Sequence, residues 1–173
     1  MMLKRTIAAT ALVLGSAVAA NAADIPMAPA PPPPPPPAAP VFDWSGPYVG
    51  AYAGYVFGVG WVQTGVQVGY NFDLGGFVAG IEGQVGPTFT FPGIAAEANV
   101  NARAGIGFGQ TLLYGEAGVG YLFNAGFATW NAGGGIEFLV NSDVSLFTEA
   151  KAIGAFGGGI FGVTVQGGVN WHF

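Results

Sequence analysis

Charged residues are sparse in this chain, and seven of the eight between residues 82 and 151 recur on one face of an alternating pattern. They are Glu82, Glu97, Arg103, Glu116, Glu137, Glu149 and Lys151. Carboxylates beside cations can form salt bridges, exchange protons or line an ion path. A turn at 109–111 predicts that Arg103 lies nearly opposite Glu116, with Glu82 within diagonal reach. Since an arginine can bond two carboxylates at once, Arg103 is predicted to lie at the centre of this group.

We interpret six of these residues as a structural network of salt bridges inside the fold: Glu82, Arg103, Glu116, Glu137, Glu149 and Lys151. The alternative is an ion path or gate. Five inward glutamates face only two cations, so some glutamates must contact water or hold a proton.

Catalytic groups are scarce. The single histidine is His172, and a pair with Ser145, assisted by Asp143, is conceivable at one rim. We expect no enzyme activity, no cofactor and no metal site. The absence of cysteine excludes thiol chemistry and disulfides. Nucleic acid is excluded as a partner, because four basic residues stand against nine acidic ones.

The elements that must position these groups are strands. Polar and apolar residues alternate with a period of two through 62–72, 96–108 and 161–173. Further strands are predicted at about 47–57, 77–86, 112–123, 128–139 and 144–155. Eight strands form an even number, which lets an antiparallel sheet close into a barrel with both ends on one side. The connections are short, with periplasmic turns at 73–76, 109–111 and 140–143.

The apolar face of this barrel is predicted to face lipid. Hydrophobic residues make up 51% of the chain and charged residues 8%, too few to solvate the surface of a soluble domain. Many of the 31 glycines fall on the opposite, polar face, where small residues suit the narrow interior of eight strands. Large aromatics fall near both strand ends, as in the two interfacial girdles of membrane barrels. We therefore predict an all-β, eight-stranded antiparallel transmembrane β-barrel over residues 47–173.

Two segments precede the barrel. Residues 1–22 have the charged start, apolar middle and Ala-x-Ala end of a secretory signal peptide, whose removal changes the net charge from −5 to −7. Residues 23–46 contain an unbroken proline run at 31–37 and form a Pro-rich periplasmic tether. At ~3.1 Å per residue, about 20 such residues reach roughly 60 Å.

Several motifs resemble small alphaproteobacterial outer-membrane barrels, which belong with the OmpA-like transmembrane barrels of the porin superfamily. Residues 44–50 (Trp-Ser-Gly-Pro-Tyr-Val-Gly) resemble the opening strand, 65–71 the second and 102–105 the fourth. The ending at 169–173 resembles the closing strand. The likeness covers about residues 44–173.

The resemblance implies a barrel that stabilises the outer membrane of a Gram-negative bacterium, with lipid and lipopolysaccharide around it. It implies that Phe173 is the signal read by the barrel-assembly machinery. Some relatives are joined to peptidoglycan through a mature terminus beginning Ala-Asp, which suggests Ala23, followed by Asp24, as an attachment point. The alternative function is a narrow channel or a small-ligand-binding barrel.

Small residues occupy several outward positions in the middle of strands, and small residues permit close packing between membrane segments. They are Ala98, Ala102, Ala104, Ala132, Gly134, Ala150, Ala152 and Gly154. One explanation for these small residues is that the barrel has a smooth outer surface in contact with lipid. The alternative is that strands 6–7 pack against a membrane protein partner or a second copy.

Overall fold

The structure, a computed structural model, describes residues 42–91 and 93–173. The predicted signal peptide, most of the tether, Ala23 and Asp24 lie outside the described residues. The strands are β1 (Gly46–Phe57), β2 (Trp61–Asp73), β3 (Phe77–Phe89), β4 (Ile94–Phe108), β5 (Thr111–Leu122), β6 (Phe127–Leu139), β7 (Val144–Ala155) and β8 (Ile160–His172). Each pairs antiparallel with its neighbours in the chain, and β8 pairs with β1 to close the barrel. The predicted eight-stranded antiparallel barrel is confirmed.

Short turns connect the strands, and side chains cap two of them. The carboxylate of Asp73 accepts hydrogen bonds from the amides of Gly75 (3.0 Å) and Gly76 (2.8 Å). Both glycines have positive φ, at 85° and 96°, which side-chain-bearing residues rarely adopt. Asn141 caps the turn between β6 and β7 in the same way, accepting from the amide of Val144 at 2.8 Å. Local turn chemistry thus ends these strands where the alternation ends.

The two faces of the sheet have opposite character. Outward residues are apolar and exposed, as Val68 (59%) and Val100 (64%) illustrate. Inward residues are polar and buried, as Asn71 (0%) and Asn101 (1%) illustrate. A soluble barrel has the reverse arrangement, whereas a barrel whose outside meets lipid requires this one. Among residues 42–91 and 93–173, no helix has the length and apolar character needed to cross a membrane.

Glycines make room for large side chains inside the barrel. Tyr48 pairs directly with Gly69 on β2, and Tyr52 with Gly65. A side chain at either glycine would collide with the ring of its partner tyrosine. An eight-stranded barrel encloses only enough space for side chains to fill it. Large residues therefore lie opposite glycine on the neighbouring strand.

Candidate functional site: the buried polar network

The interior is layered along the barrel axis. We call the end that holds Gly46 and His172 the terminal end and the opposite end the loop end. The terminal end is closed by an apolar cluster of Trp44, Val78, Leu112, Tyr114 and Leu139. At the loop end the inward residues Val56 (0% exposed) and Leu122 (3%) are also apolar and buried. Polar and charged side chains fill the space between.

Trp44 closes the terminal end. Its indole Nε1 donates to the carbonyl of Gly109 at 3.3 Å, and its ring meets that of His172 edge-on at 6.1 Å. The hydroxyl of the adjacent Ser45 accepts from the Asp73 amide at 2.9 Å. Trp44 is only 2% exposed. Residues 42–45, assigned to the tether by sequence, thus lie against the barrel end.

Arg103 on β4 crosses the lumen to two carboxylates. Its Nη2 lies 2.7 Å from Glu137 on β6, and its Nη1 lies 3.5 Å from Glu82 on β3. Nη1 also donates to the Tyr48 hydroxyl at 2.8 Å, which in turn donates to Glu82 at 2.6 Å. The guanidinium carbon sits 4.0 Å from the Tyr114 ring centre, within cation–π range. Arg103 thereby joins strands that are not neighbours.

Lys151 on β7 forms the second ion cluster. Its Nζ lies 2.8 Å from Glu116 and 2.9 Å from Glu149. The Tyr114 hydroxyl donates to Glu149 at 2.7 Å, which links this cluster to the Arg103 region.

The partner of Glu116 differs from the one expected. Arg103 and Glu116 are direct cross-strand neighbours, as the hairpin register predicts. The expected ion pair between them is wrong, because Glu116 pairs with Lys151 and Arg103 reaches Glu137 instead. Gly133 on β6 lies between Glu116 and Lys151 in the register, so no side chain separates them.

Glu97 lies nearer the loop end and is held by neutral donors. Its carboxylate accepts from the amide of Gln63 at 2.6 Å, the hydroxyl of Thr88 at 2.7 Å and the amide of Asn99 at 2.9 Å. This half-buried glutamate therefore belongs to the network although the predicted six-residue set does not include it. The sequence feature that indicates an inward position for Glu97 is its place on the polar face of β4.

Ser145 and His172 meet at the terminal end, with Ser145 Oγ 2.9 Å from His172 Nε2. Glu137, and not the side chain of Asp143, accompanies them: the serine donates to Glu137 at 2.5 Å, and His172 lies 3.4 Å from the same oxygen. Asp143 contributes only its carbonyl, which accepts from the His172 amide at 2.7 Å. Ser145 is fully buried. The cluster thereby joins β6, β7 and β8 at the terminal end.

Free space within the network is small. Two interior cavities beside Glu97 have volumes of about 10 Å³ and 20 Å³, room for roughly one water molecule each. Within residues 42–91 and 93–173, no group of three ligating side chains is placed to hold a metal ion. Chemically, the arrangement fastens distant strands to one another across the lumen.

Sequence reasoning missed three contributors to the site. Trp44 was assigned to the tether, and the hydroxyls of Tyr48 and Tyr114 were not recognised as network members. The alternating pattern did contain a sign of both tyrosines: Tyr114 lies in phase with Glu116 on β5, and Tyr48 lies in phase with the inward glycines Gly50 and Gly54 on β1.

No family model and no curated protein sequence matches the chain. Among solved structures, the N-terminal β-barrel domain of Pseudomonas aeruginosa OprF is similar, with a TM-score of 0.56, 13% identity, and coverage of 73% of this chain and 96% of that one. A de novo designed transmembrane β-barrel gives a TM-score of 0.50, 16% identity, and coverage of 77% and 100%. The chain has the fold of a transmembrane β-barrel. A relationship to alphaproteobacterial barrels stays a prediction.

Proposed function

We propose that this protein is a structural barrel of the outer membrane of a Gram-negative bacterium, where it stabilises the envelope. The observation that carries the proposal is the filled interior, in which a network of buried ion pairs lies between two apolar layers. Such an interior favours rigidity over transport or catalysis. The connections, of two to four residues each, offer little surface for recognising a ligand outside the membrane.

The channel alternative predicts ion flow through the barrel. Leu112 and Val56, each 0% exposed, lie inside opposite ends of the lumen, and the cavities between them are small. We therefore expect planar bilayers containing the purified protein to show no steps in conductance. Reproducible single-channel steps would favour the channel instead.

A role in the envelope is tested by deleting the gene. We expect the deletion strain to become more sensitive to detergent and to shed more vesicles, with both defects restored by the wild-type chain. An unchanged envelope would argue against the structural role.

We further propose that the mature chain is joined to peptidoglycan through Ala23. The support is the resemblance of the Ala23–Asp24 start and the reach of the Pro-rich segment. Detergent-washed cell walls, digested with lysozyme and analysed by mass spectrometry, should contain a peptide that begins at Ala23 and carries a wall fragment. Asp24→Ala, which keeps the cleavage site and the tether, is the matched variant and should lose that peptide. Recovery of free Ala23 termini alone would refute the attachment and leave the barrel role intact.

The remaining partners are proposals of the same kind. Recognition of Phe173 by the assembly machinery is tested by deleting this residue and measuring the folded fraction in the membrane.

Small outward residues form a continuous row across four strands, Ala102, Ala117, Ala132 and Ala152. We propose that a membrane protein or a second copy packs on its β6–β7 part. Crosslinking from Ala132→Cys or Ala150→Cys should then give dimers or a larger adduct, and monomers alone would contradict it.

A further inference from the structure

The two ends of the barrel differ sharply in charge. Asp43, Asp73 and Asp143 all lie at the terminal end, beside the last residue of the chain. At the loop end, the connections 58–60, 90–93, 123–126 and 156–159 contain no charged residue. Loops that project into water are ordinarily polar, so the loop end is not built as a solvated surface.

The loop end is also strongly apolar. Phe91 is 98% exposed, Phe156 59% and Phe123 55%. The strand-end residues Ile94 and Ile160 beside them are 60% and 63% exposed. We call these five residues the apolar crown. Large apolar side chains exposed together at one end of a protein mark contact with lipid or with another molecule.

The crown continues the lipid-facing surface of the strands. Phe123 packs against Tyr121, which faces outward on β5, with ring centres 5.3 Å apart. Tyr55 and Phe57 make the same contact at 4.8 Å where β1 ends. Aromatic rings of this kind mark the membrane interface. Because apolar residues extend from these rings into the loops, the barrel has no charged rim in the connections at this end.

Hydrogen bonding within the loops is also consistent with an environment that contains little water. The two polar side chains of these connections both donate internally: Thr90 to the carbonyl of Gly93 at 3.0 Å, and Asn124 to the carbonyl of Ile94 at 2.8 Å. Several backbone amides of these connections are also paired within the fold, among them that of Phe156, which donates to the carbonyl of Ala128 at 3.1 Å. Internal pairing of polar groups is what a segment requires where water is scarce.

We propose that the occupant of the apolar crown is lipid, so that the loop end lies within the boundary between headgroups and acyl chains. Lipid fits better than a protein partner for two reasons. The crown draws on three of the four connections around the rim, and it adjoins the lipid-facing sheet where Phe123 packs against Tyr121. The proposal requires only that the barrel spans a membrane, and it is independent of the attachment at Ala23.

The absence of cysteine allows a direct test with single-cysteine variants. Ala125→Cys places an environment-sensitive fluorophore on an exposed crown loop, and Ser142→Cys places it on an exposed terminal-end turn as the matched control. Each variant is folded into vesicles of phosphatidylethanolamine and phosphatidylglycerol. The fluorescence of each probe is then measured with two quenchers in turn. One is lipid spin-labelled near the glycerol, and the other is iodide in the water on both sides of the membrane.

We expect the probe at 125 to emit further to the blue and to be quenched by the spin-labelled lipid, with most of its iodide quenching lost. The probe at 142 should show the reverse. Adding Phe91→Asp and Phe156→Asp should restore iodide quenching at 125 while the barrel stays folded on unheated gels. Equal iodide quenching at 125 and 142 would overturn the proposal. So would shielding at 125 that disappears when the protein is diluted in lipid, because a second copy would then be the occupant.

Discussion

Replacing Arg103 by alanine tests the central claim about the interior. The arginine side chain is 2% exposed, and those of its partners Glu137 and Glu82 are 0% and 3% exposed. Arg103→Ala leaves both carboxylates without this cation and removes the donor to the Tyr48 hydroxyl. Removing one member of a buried ion pair typically costs about 3–5 kcal/mol. We expect a loss in this range in the free energy of unfolding.

The assay is urea unfolding in detergent micelles, followed by tryptophan fluorescence and by the mobility of unheated samples on gels. The control is the triple variant Arg103→Met, Glu82→Gln and Glu137→Gln, which removes the charges together. Since an uncompensated buried charge causes most of the cost, this variant should recover much of the lost stability. A loss below about 1 kcal/mol for Arg103→Ala, the value of an exposed pair, would refute the reasoning.

Four further substitutions test the packing. Gly69→Val drives a side chain into the Tyr48 ring and should cost about 1–3 kcal/mol in unfolding free energy. In a Tyr48→Ala background the same change should cost less in the same urea assay. Trp44→Ala removes the closure of the terminal end and should cost about 3 kcal/mol, while Trp44→Phe should cost less. Ala117→Leu points to lipid and should change stability by no more than about 0.5 kcal/mol. Gly118→Leu, one residue away but inward, should reduce the folded fraction on unheated gels, and equal behaviour of the last two would contradict the assigned faces.

The strands could be predicted because alternation reports directly which face each residue occupies. Predicted 144–155 coincides with β7, and predicted 62–72 falls one residue short of β2 at each end. The larger difference is β3, predicted to end at 86 but continuing to Phe89. The added stretch contains Pro87, which cannot donate to a ladder. Close to a loop, the strand tolerates one missing donor, and Pro87 still pairs in register with Ala96.

Contacts across the lumen could not be predicted in the same way. Hairpin register places Arg103 beside Glu116, since adjacent strands fix their own neighbours. The contact between Arg103 and Glu137 joins β4 to β6 and depends on strand tilt and stagger around the whole barrel, which a local pattern does not encode. Closure by Trp44 was missed for a related reason. It requires the chain before β1 to fold back over the barrel end, and a segment without periodicity gives no sign of that.

Two inward glycines, whose positions follow from the strand pattern, lie beside the two cations whose contacts across the lumen could not be predicted. Arg103 pairs with Gly80 on one side, and Lys151 pairs with Gly133. Both basic residues beyond the predicted signal peptide therefore lie beside a position that has no side chain. The space beside each glycine lets the long basic side chain extend across the lumen, because no side chain on the adjacent strand blocks it. The glycine positions thus determine which carboxylates the cations reach, and a side chain at Gly80 or Gly133 would rearrange the ion pairs as well as the packing.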